Sequence, residues 1–527
     1  MLKTVSGEKM IKKIFFGFLL VVSSINQVLA STVIQGYVYV NKPVVSSVIV
    51  RDVNNKILKT ATNSDGFYQQ DVSELTPPLI VFSNENSLAR KADEGQMCNG
   101  NCLVSYVHTL QKDEKNTVNI NPLTDFLTSE LAKQINLLGP EQFTDNQLSF
   151  SIDDAALSHA YKNYHLLFDK ALRQVGIIAN SFDPLTTENP DINKLLNVMY
   201  FNRGYDSSTG KVSGTVLFDM RLRPISQDSP FDYDQAVKQK ERNINAKQRI
   251  FILGDSTASN YDKKVYPRMG WGQVFDQFID DKADTVVING AQSGRSSRSF
   301  KTEGWFDLLI PLMKKGDYMI IAFGHNDEKC NGNNPKRGKV DVANLCTYPN
   351  DDNNQKQYPS TQENMSFQSS LEGYLAVAKA LDMTPILMTP VTRYKDKNNN
   401  IAYQNTNPVS HTHYTANKPG FAYWGDYSNT IKHTAKVNQV ALIDLESFSI
   451  DFANQHKDDW QSYWLAVDPN DPKYPYYKNQ TSGVINNPDA THFQEKGALA
   501  IAKIIANAIN NDPWLQQGIT FDQTQIN

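Results

Sequence analysis

RIFILGDSTASNY, residues 249–261, passes directly from an apolar run into a turn. Residues 249–253 have the short, continuous apolar character of a strand buried on both faces. Gly254-Asp255-Ser256-Thr257 breaks that run, and such residues are common at strand ends because they tolerate turn geometry. Taken alone, Ser256 is an ordinary turn serine. Whether it is a nucleophile depends on what the rest of the chain brings to it.

Outward from this stretch the C-terminal half alternates regularly. Strand-like runs occupy 250–253, 285–289, 317–323, 385–389 and 440–445. Helical spacing falls at 271–279, 305–314, 367–381, 427–438 and about 495–509. Alternation of this kind predicts an α/β fold: a parallel five-stranded sheet with helices on both faces, three layers in all. Ligands of such sheets bind beyond the carboxyl ends of the strands.

The residues just beyond each strand are therefore decisive. GDS (254–256) comes after the first, NGAQSGRSSRSF (289–300) after the second and GHND (324–327) after the third, while DATH (489–492) precedes the last helix. All four segments belong on one rim. Together they hold what acyl transfer needs. A serine hydroxyl is a poor nucleophile until an imidazole takes its proton, and the imidazole needs a carboxylate to hold its tautomer. Asp489 and His492 are close enough for one loop to supply both, and Ser256, Gly294 and Asn326 offer donors for an oxyanion.

These blocks look like those of the SGNH (GDSL-like) hydrolase superfamily. The longer strings GDSTAS, MGWGQVF, NGAQSGRSSRSF, FGHND, TPVTR and DATHFQEKGALAIA are similar to rhamnogalacturonan and pectin acetylesterases, over about 245–515. The resemblance implies a catalytic domain at 246–515 with Ser256 as nucleophile, His492 as base and Asp489 orienting the base. It places the oxyanion hole at the N–H groups of Ser256 and Gly294 and the amide of Asn326, with no metal or organic cofactor. It implies hydrolysis of O-acetyl esters of a pectic polysaccharide, homogalacturonan or rhamnogalacturonan. The alternatives are the same machinery on another acyl ester, such as acetylated xylan, and a non-catalytic pectin-binding protein.

Arg295, Arg298, Lys301, Lys329, Lys336, Arg337 and Arg393 cluster near the expected rim. On a chain of net charge −4 they suit a galacturonate-rich polyanion. Arg295 is the first candidate for substrate binding, with Arg393 and His325 as further contacts. Trp424, Tyr394 and Tyr423 are aromatic platforms for sugar faces. Asp255 reads as support for the turn, and His411 and His413 have no assigned role.

The N-terminal half reads differently. MIKKIFFGFLLVVSSINQVLAST, from Met10, pairs two lysines with an apolar run too short for a membrane span, which predicts a signal peptide over 1–30 and export to the periplasm or beyond the cell. Alternating strands in 31–115 resemble transthyretin-like modules and predict a small β-sandwich. Residues 116–245 read as mainly helical, with DYDQAVKQKERNINAKQ (232–248) as the linker. Four cysteines suit an exported chain, paired most simply as 98 with 102 and 330 with 346; zinc on Cys98, Cys102 and His108 is the rival. With 40% hydrophobic residues, 25 Phe and 24 Tyr, the chain can build several cores, which excludes a mainly disordered protein. No membrane span, no nucleic-acid partner and a monomer are expected.

Overall fold

Two small sheets face each other at the start of the computed structural model, which describes residues 31–84, 102–145, 152–178, 182–187, 190–205, 212–329, 367–414, 425–515 and 518–526. In the first, β1 (Val33–Tyr37) lies between β4 (Phe67–Asp71) and β7 (Lys115–Thr117). The second is antiparallel, with β3 (Ile57–Ala61), β2 (Ser47–Asp52), β5 (Leu79–Asn84) and β6 (Cys102–Val107) in that order. Ile34, Val48, Val50, Val81 and Leu103 fill the space between them. The alternate residues Ile49, Ile80, Phe82 and Val104 point the other way and are buried too. They meet Leu123, Phe126 and Phe168 of helices Pro122–Gln134 and Asp154–Gln174. The first of these helices starts at a capping box, with Asn121 accepting from Leu123 and Thr124 and Thr124 reaching back.

A hairpin of β8 (Tyr200–Tyr205) and β9 (Val212–Phe218) leads into the segment expected to be a linker. That segment holds a helix, Tyr233–Asn245, capped by Asp232, which accepts the Gln235 N–H. Ala236 and Asn243 are its buried positions, and Tyr233 and Val237 pack against the same core. This apolar face is short and set among polar and charged residues, which is why the stretch reads as polar.

The central sheet of the C-terminal half joins β10 (Gln248–Gly254), β12 (Thr285–Asn289), β13 (Tyr318–Ala322), β14 (Thr384–Met388) and β15 (Ala441–Ile443). Their order is β12-β10-β13-β14-β15 and every pairing is parallel, as the alternation predicted. Ile250 and Ile252 face one layer, where Ile501, Ile505 and Ile509 of helix Glu495–Asn511 pack. Phe251 and Leu253 face the opposite layer, with Leu371 and Tyr374 of helix Phe367–Ala380 and Ile431 of helix Tyr427–Asn438. Because β12 lies on one side of β10 and β13 on the other, the chain changes direction at β10. A crevice opens there, at the carboxyl ends.

Three local expectations are corrected. The stretch 271–279 forms two short 3-10 turns, Trp271–Gln273 and Phe275–Phe278, and 305–314 holds only Ile310–Leu312. Trp271, Val274, Phe275 and Phe278 are all buried, but spacings of three and four suit a 3-10 turn nearly as well as an α-helix. A helix at Leu445–Gln455 adds to the layer of Ile501. DATH is not a loop: β17 (Asp489–Gln494) pairs antiparallel with β11 (Arg268–Met269) and β16 (Trp464–Leu465). Among the described residues no helix is long and apolar enough to cross a membrane.

Arg249 and Asp317 join these layers from within. Arg249 N–H and Nε donate to the two Asp317 carboxylate oxygens at 2.9 and 2.8 Å, and both side chains are buried. Arg249 Nη1 also donates to the carbonyls of Asn243, Ile244 and Ala246, where helix Tyr233–Asn245 ends. Arg249→Met should destabilise the protein by about 3–5 kcal/mol, since it strands the Asp317 charge in the interior. Urea unfolding is the check; a loss below about 1 kcal/mol would mean that the pair is dispensable.

Candidate active site

Ser256 leaves β10 on a turn shaped by Asp255. The Asp255 carboxylate accepts the Thr257 N–H at 3.0 Å and its hydroxyl at 2.8 Å, and the Asp255 carbonyl accepts from Ala258 and Ser259. The carboxyl is fully buried, and burial raises its pKa against those hydrogen bonds. The Tyr261 hydroxyl donates to the Ser256 carbonyl at 2.7 Å. MGWG packs directly against this turn: a Cβ on Gly270 would stand 2.3 Å from the Ser259 carbonyl, so only glycine fits.

His492 arrives on β17. An irregularity opposite Trp464 and Leu465 lets the Asp489 carboxylate turn back and accept the N–H groups of Thr491 at 2.9 Å and His492 at 3.2 Å. Its other oxygen lies 2.6 Å from His492 Nδ1, and His492 Nε2 lies 2.9 Å from Ser256 Oγ. Burial opposes ionisation of Asp489, but His492 and the two N–H groups outweigh it and hold the carboxyl well below its usual range. A carboxylate at Nδ1 keeps the proton on that nitrogen and leaves Nε2 as the acceptor facing the serine.

The Gly294 and Asn326 segments close the same rim. Gly294 is left-handed, with φ +81°, and a Cβ there would meet nothing within 4 Å. Among the described residues neither the Gly294 nor the Ser256 N–H donates to a protein acceptor. Asn326 Nδ2 donates to the Arg295 carbonyl at 3.2 Å, which orients an amide that carries a second hydrogen.

Arg295 and Arg393, both expected to meet substrate, are engaged within the protein, whereas Lys301 is exposed. Arg295 Nε lies 2.8 Å from Glu303, its Nη1 donates to the Ser293 carbonyl, and it stands over the Trp305 ring. Arg393 pairs with Glu328 at 2.7 Å. His413 joins them, with Nδ1 against Glu328 and Nε2 2.9 Å from the Val391 carbonyl. His325 is buried edge-on to His413, their rings 4.7 Å apart. Tyr394 is no sugar platform: it is fully buried and stacked on Trp460 at 4.1 Å. Trp424, Tyr423, Lys336, Arg337, Cys98, Cys330 and Cys346 lie outside the described residues, and Cys102 is disulfide-bonded.

Sequence reading missed Glu328 and Asp327. Their signal was GHND itself, whose last residue is Asp327 and which Glu328 follows directly. Burial works against the Glu328 charge, yet Arg393 and His413 keep its pKa below the ordinary value. Asp327 accepts the Ser297 N–H and hydroxyl at 2.9 and 2.8 Å; burial, aided by Asp255 and Glu328, pushes it up to about 8. The folded protein thus holds the Asp327 proton more tightly than the unfolded chain, whose aspartates titrate near about 4. Its stabilising effect is complete below that value and is lost as pH rises toward 8. Asp327→Asn should therefore gain in Tm relative to the parent as pH is raised from 4 to 8. Calorimetric melts across that range test this, and a constant difference would refute it.

Residues 250–505 match the model of the family described as GDSL-like lipase/acylhydrolase. The chain is 28% identical over 263 residues to the rhamnogalacturonan acetylesterase RhgT of Bacillus subtilis (strain 168), covering 50% of this chain and 89% of that one. It is 28% identical over 260 residues to the probable rhamnogalacturonan acetylesterase YesY of the same strain, covering 49% and 91%. It is 38% identical to the rhamnogalacturonan acetylesterase of Emericella nidulans over 80 residues, 15% of this chain and 29% of that one.

Proposed function

Because residues 250–505 match the GDSL-like lipase/acylhydrolase family, we propose that Ser256, His492 and Asp489 are the catalytic triad of an enzyme that deacetylates pectic polysaccharide. At the level of activity it is an esterase, a carbohydrate acetylesterase of the SGNH type. The observation that carries the proposal is the unbroken line from Asp489 through His492 to Ser256 Oγ, at 2.6 and 2.9 Å, beside three donors on one rim. The activity for which the relatives are named supports the pectic substrate.

In the proposed reaction Ser256 Oγ attacks the acetyl carbonyl while His492 Nε2 takes its proton. Asp489 stabilises the imidazolium, and its low pKa keeps it a carboxylate throughout. The N–H groups of Ser256 and Gly294 and the Asn326 amide receive the charge on the tetrahedral oxygen. His492 then protonates the departing sugar oxygen. Water, deprotonated by the same imidazole, cleaves the acetyl-enzyme to acetate and free Ser256. Export through a signal peptide at 1–30, the modules at 31–115 and 116–245, and the pairs Cys98–Cys102 and Cys330–Cys346 complete the proposal.

Acetate release from acetylated homogalacturonan and acetylated rhamnogalacturonan, measured side by side, is the test. Ser256→Ala should abolish it. Asn326→Ala should lower kcat by about 100- to 1000-fold. Asp489→Asn should lower it by about 10,000-fold, because the imidazole then loses its tautomer. If folded parent enzyme releases acetate from xylan but from neither pectic polymer, the substrate assignment fails while the triad stands.

A further inference from the structure

A cleft of about 690 Å³ lies between the N-terminal half and the segment that follows the nucleophile. That volume is in the range of ligand sites, and junctions between structural units are where such sites gather. Its charge is unusual for a chain of net −4: Lys170, Arg221, Arg223, Lys238, Arg242 and Lys263 line it, against the carboxylates of Asp219 and Asp232. Both carboxylates are already committed, Asp219 to Arg223 at 2.8 Å and Asp232 to Lys170 at 2.6 Å. Lys238, Arg242 and Lys263 form no ion pair with any described residue and are exposed, which leaves an uncompensated positive wall.

The cleft is built into the acyl-transfer rim. Tyr261 lines it, donates its hydroxyl to the Ser256 carbonyl, and takes its own N–H to Gln273 Oε1 at 2.8 Å, another lining residue. Asn260 Nδ2 donates to the carbonyls of Arg221 and Leu222 at 3.1 and 3.2 Å. The turn that carries Arg221 and Arg223 is thus fastened to the chain leaving the nucleophile, and Asp219 rigidifies it by accepting both their N–H groups.

We propose that this cleft is a distal subsite for an acidic oligosaccharide, holding the carboxylates of uronate residues some way along the chain from the acetyl group under attack. The proposal rests on the pectic reading of the site. A uronate polymer fits because its carboxylates recur along a chain with apolar sugar faces, and the cleft offers separated cations beside Tyr261, Pro224 and Pro230. It assigns binding to the N-terminal half, since Lys170, Arg221, Arg223, Lys238 and Arg242 all precede the matched family segment.

The test uses the full chain carrying Ser256→Ala, so that nothing is hydrolysed. Calorimetric titration with an oligogalacturonate at low salt should give binding that weakens as salt is added. Adding Lys238→Gln, Arg242→Gln and Lys263→Gln should raise Kd by about tenfold. A neutral xylo-oligosaccharide should show no such change, and thermal melts would certify that the variant is folded. In the active background the same three substitutions should lower kcat/KM for the acetylated polymer by about tenfold relative to that for an aryl acetate. No oligogalacturonate binding, or an unchanged Kd in the variant, overturns the subsite. A duplex DNA that binds as tightly and is weakened as much would also overturn it, as a general polyanion surface. The binding arm needs no catalysis. Oligogalacturonate held by the cleft in an enzyme that does not deacetylate pectin would sink the pectic reading and leave the cleft standing.

Discussion

The buried pair of Arg249 and Asp317 stands where three elements meet. Asp317 sits just before β13 and Arg249 lies within β10, so the two-point bond sets the register of the strands that bracket the crevice. The remaining Arg249 donors close the carbonyl end of helix Tyr233–Asn245, which would otherwise lie buried and unsatisfied. Removing either charge would strand the other. Such a pair is a demanding way to hold a fold, and its value lies in alignment rather than in net energy. Arg203 has a similar place in the N-terminal half, meeting Asp125 and Glu141 from β8.

Register matters because the site is assembled from separate strand ends. Ser256 follows β10, Gly294 follows β12, Asn326 follows β13, and His492 comes in on a different small sheet. A slip of one residue in β10 would turn Phe251 and Leu253 toward the wrong layer and carry Ser256 away from His492. The same dependence explains the buried charges behind the rim. Asp255 shapes the turn, Asp327 anchors Ser297, and Glu328 gathers Arg393 and His413, so each carboxylate holds one arriving loop.

These charges also change how the cationic rim is understood. Arg295 and Arg393 are braced by Glu303 and Glu328, which makes them parts of the wall before they are contacts for substrate. Accessible positive charge also lies elsewhere among the described residues, around Lys238, Arg242 and Lys263, the first two on a helix whose sequence passes for a linker. Charge composition cannot distinguish these cases. Whether a guanidinium meets a carboxylate of its own chain depends on residues brought together across the fold.

The sequence by itself determined the parallel sheet and its rim. Strands such as 285–289 are continuous apolar runs, and helix 427–438 has an apolar face that repeats locally, so neither needs distant information. It also determined that the turns carrying Ser256, Gly294 and Asn326 gather at one rim, because in a parallel sheet every turn after a strand faces the same end. Only the tertiary structure decided the rest. Helix Tyr233–Asn245 was hidden because the face it packs, Tyr233, Ala236 and Val237, is short and lies among mostly polar residues. The 3-10 turns at 271–278 share their spacing with a helix. DATH became a strand through pairing with β11 and β16, partners outside its own stretch of sequence. The burial of Tyr394 and the pairing of Arg295 with Glu303 were hidden for the same reason: burial and ion pairing are properties of neighbours, and neighbours are chosen by the fold.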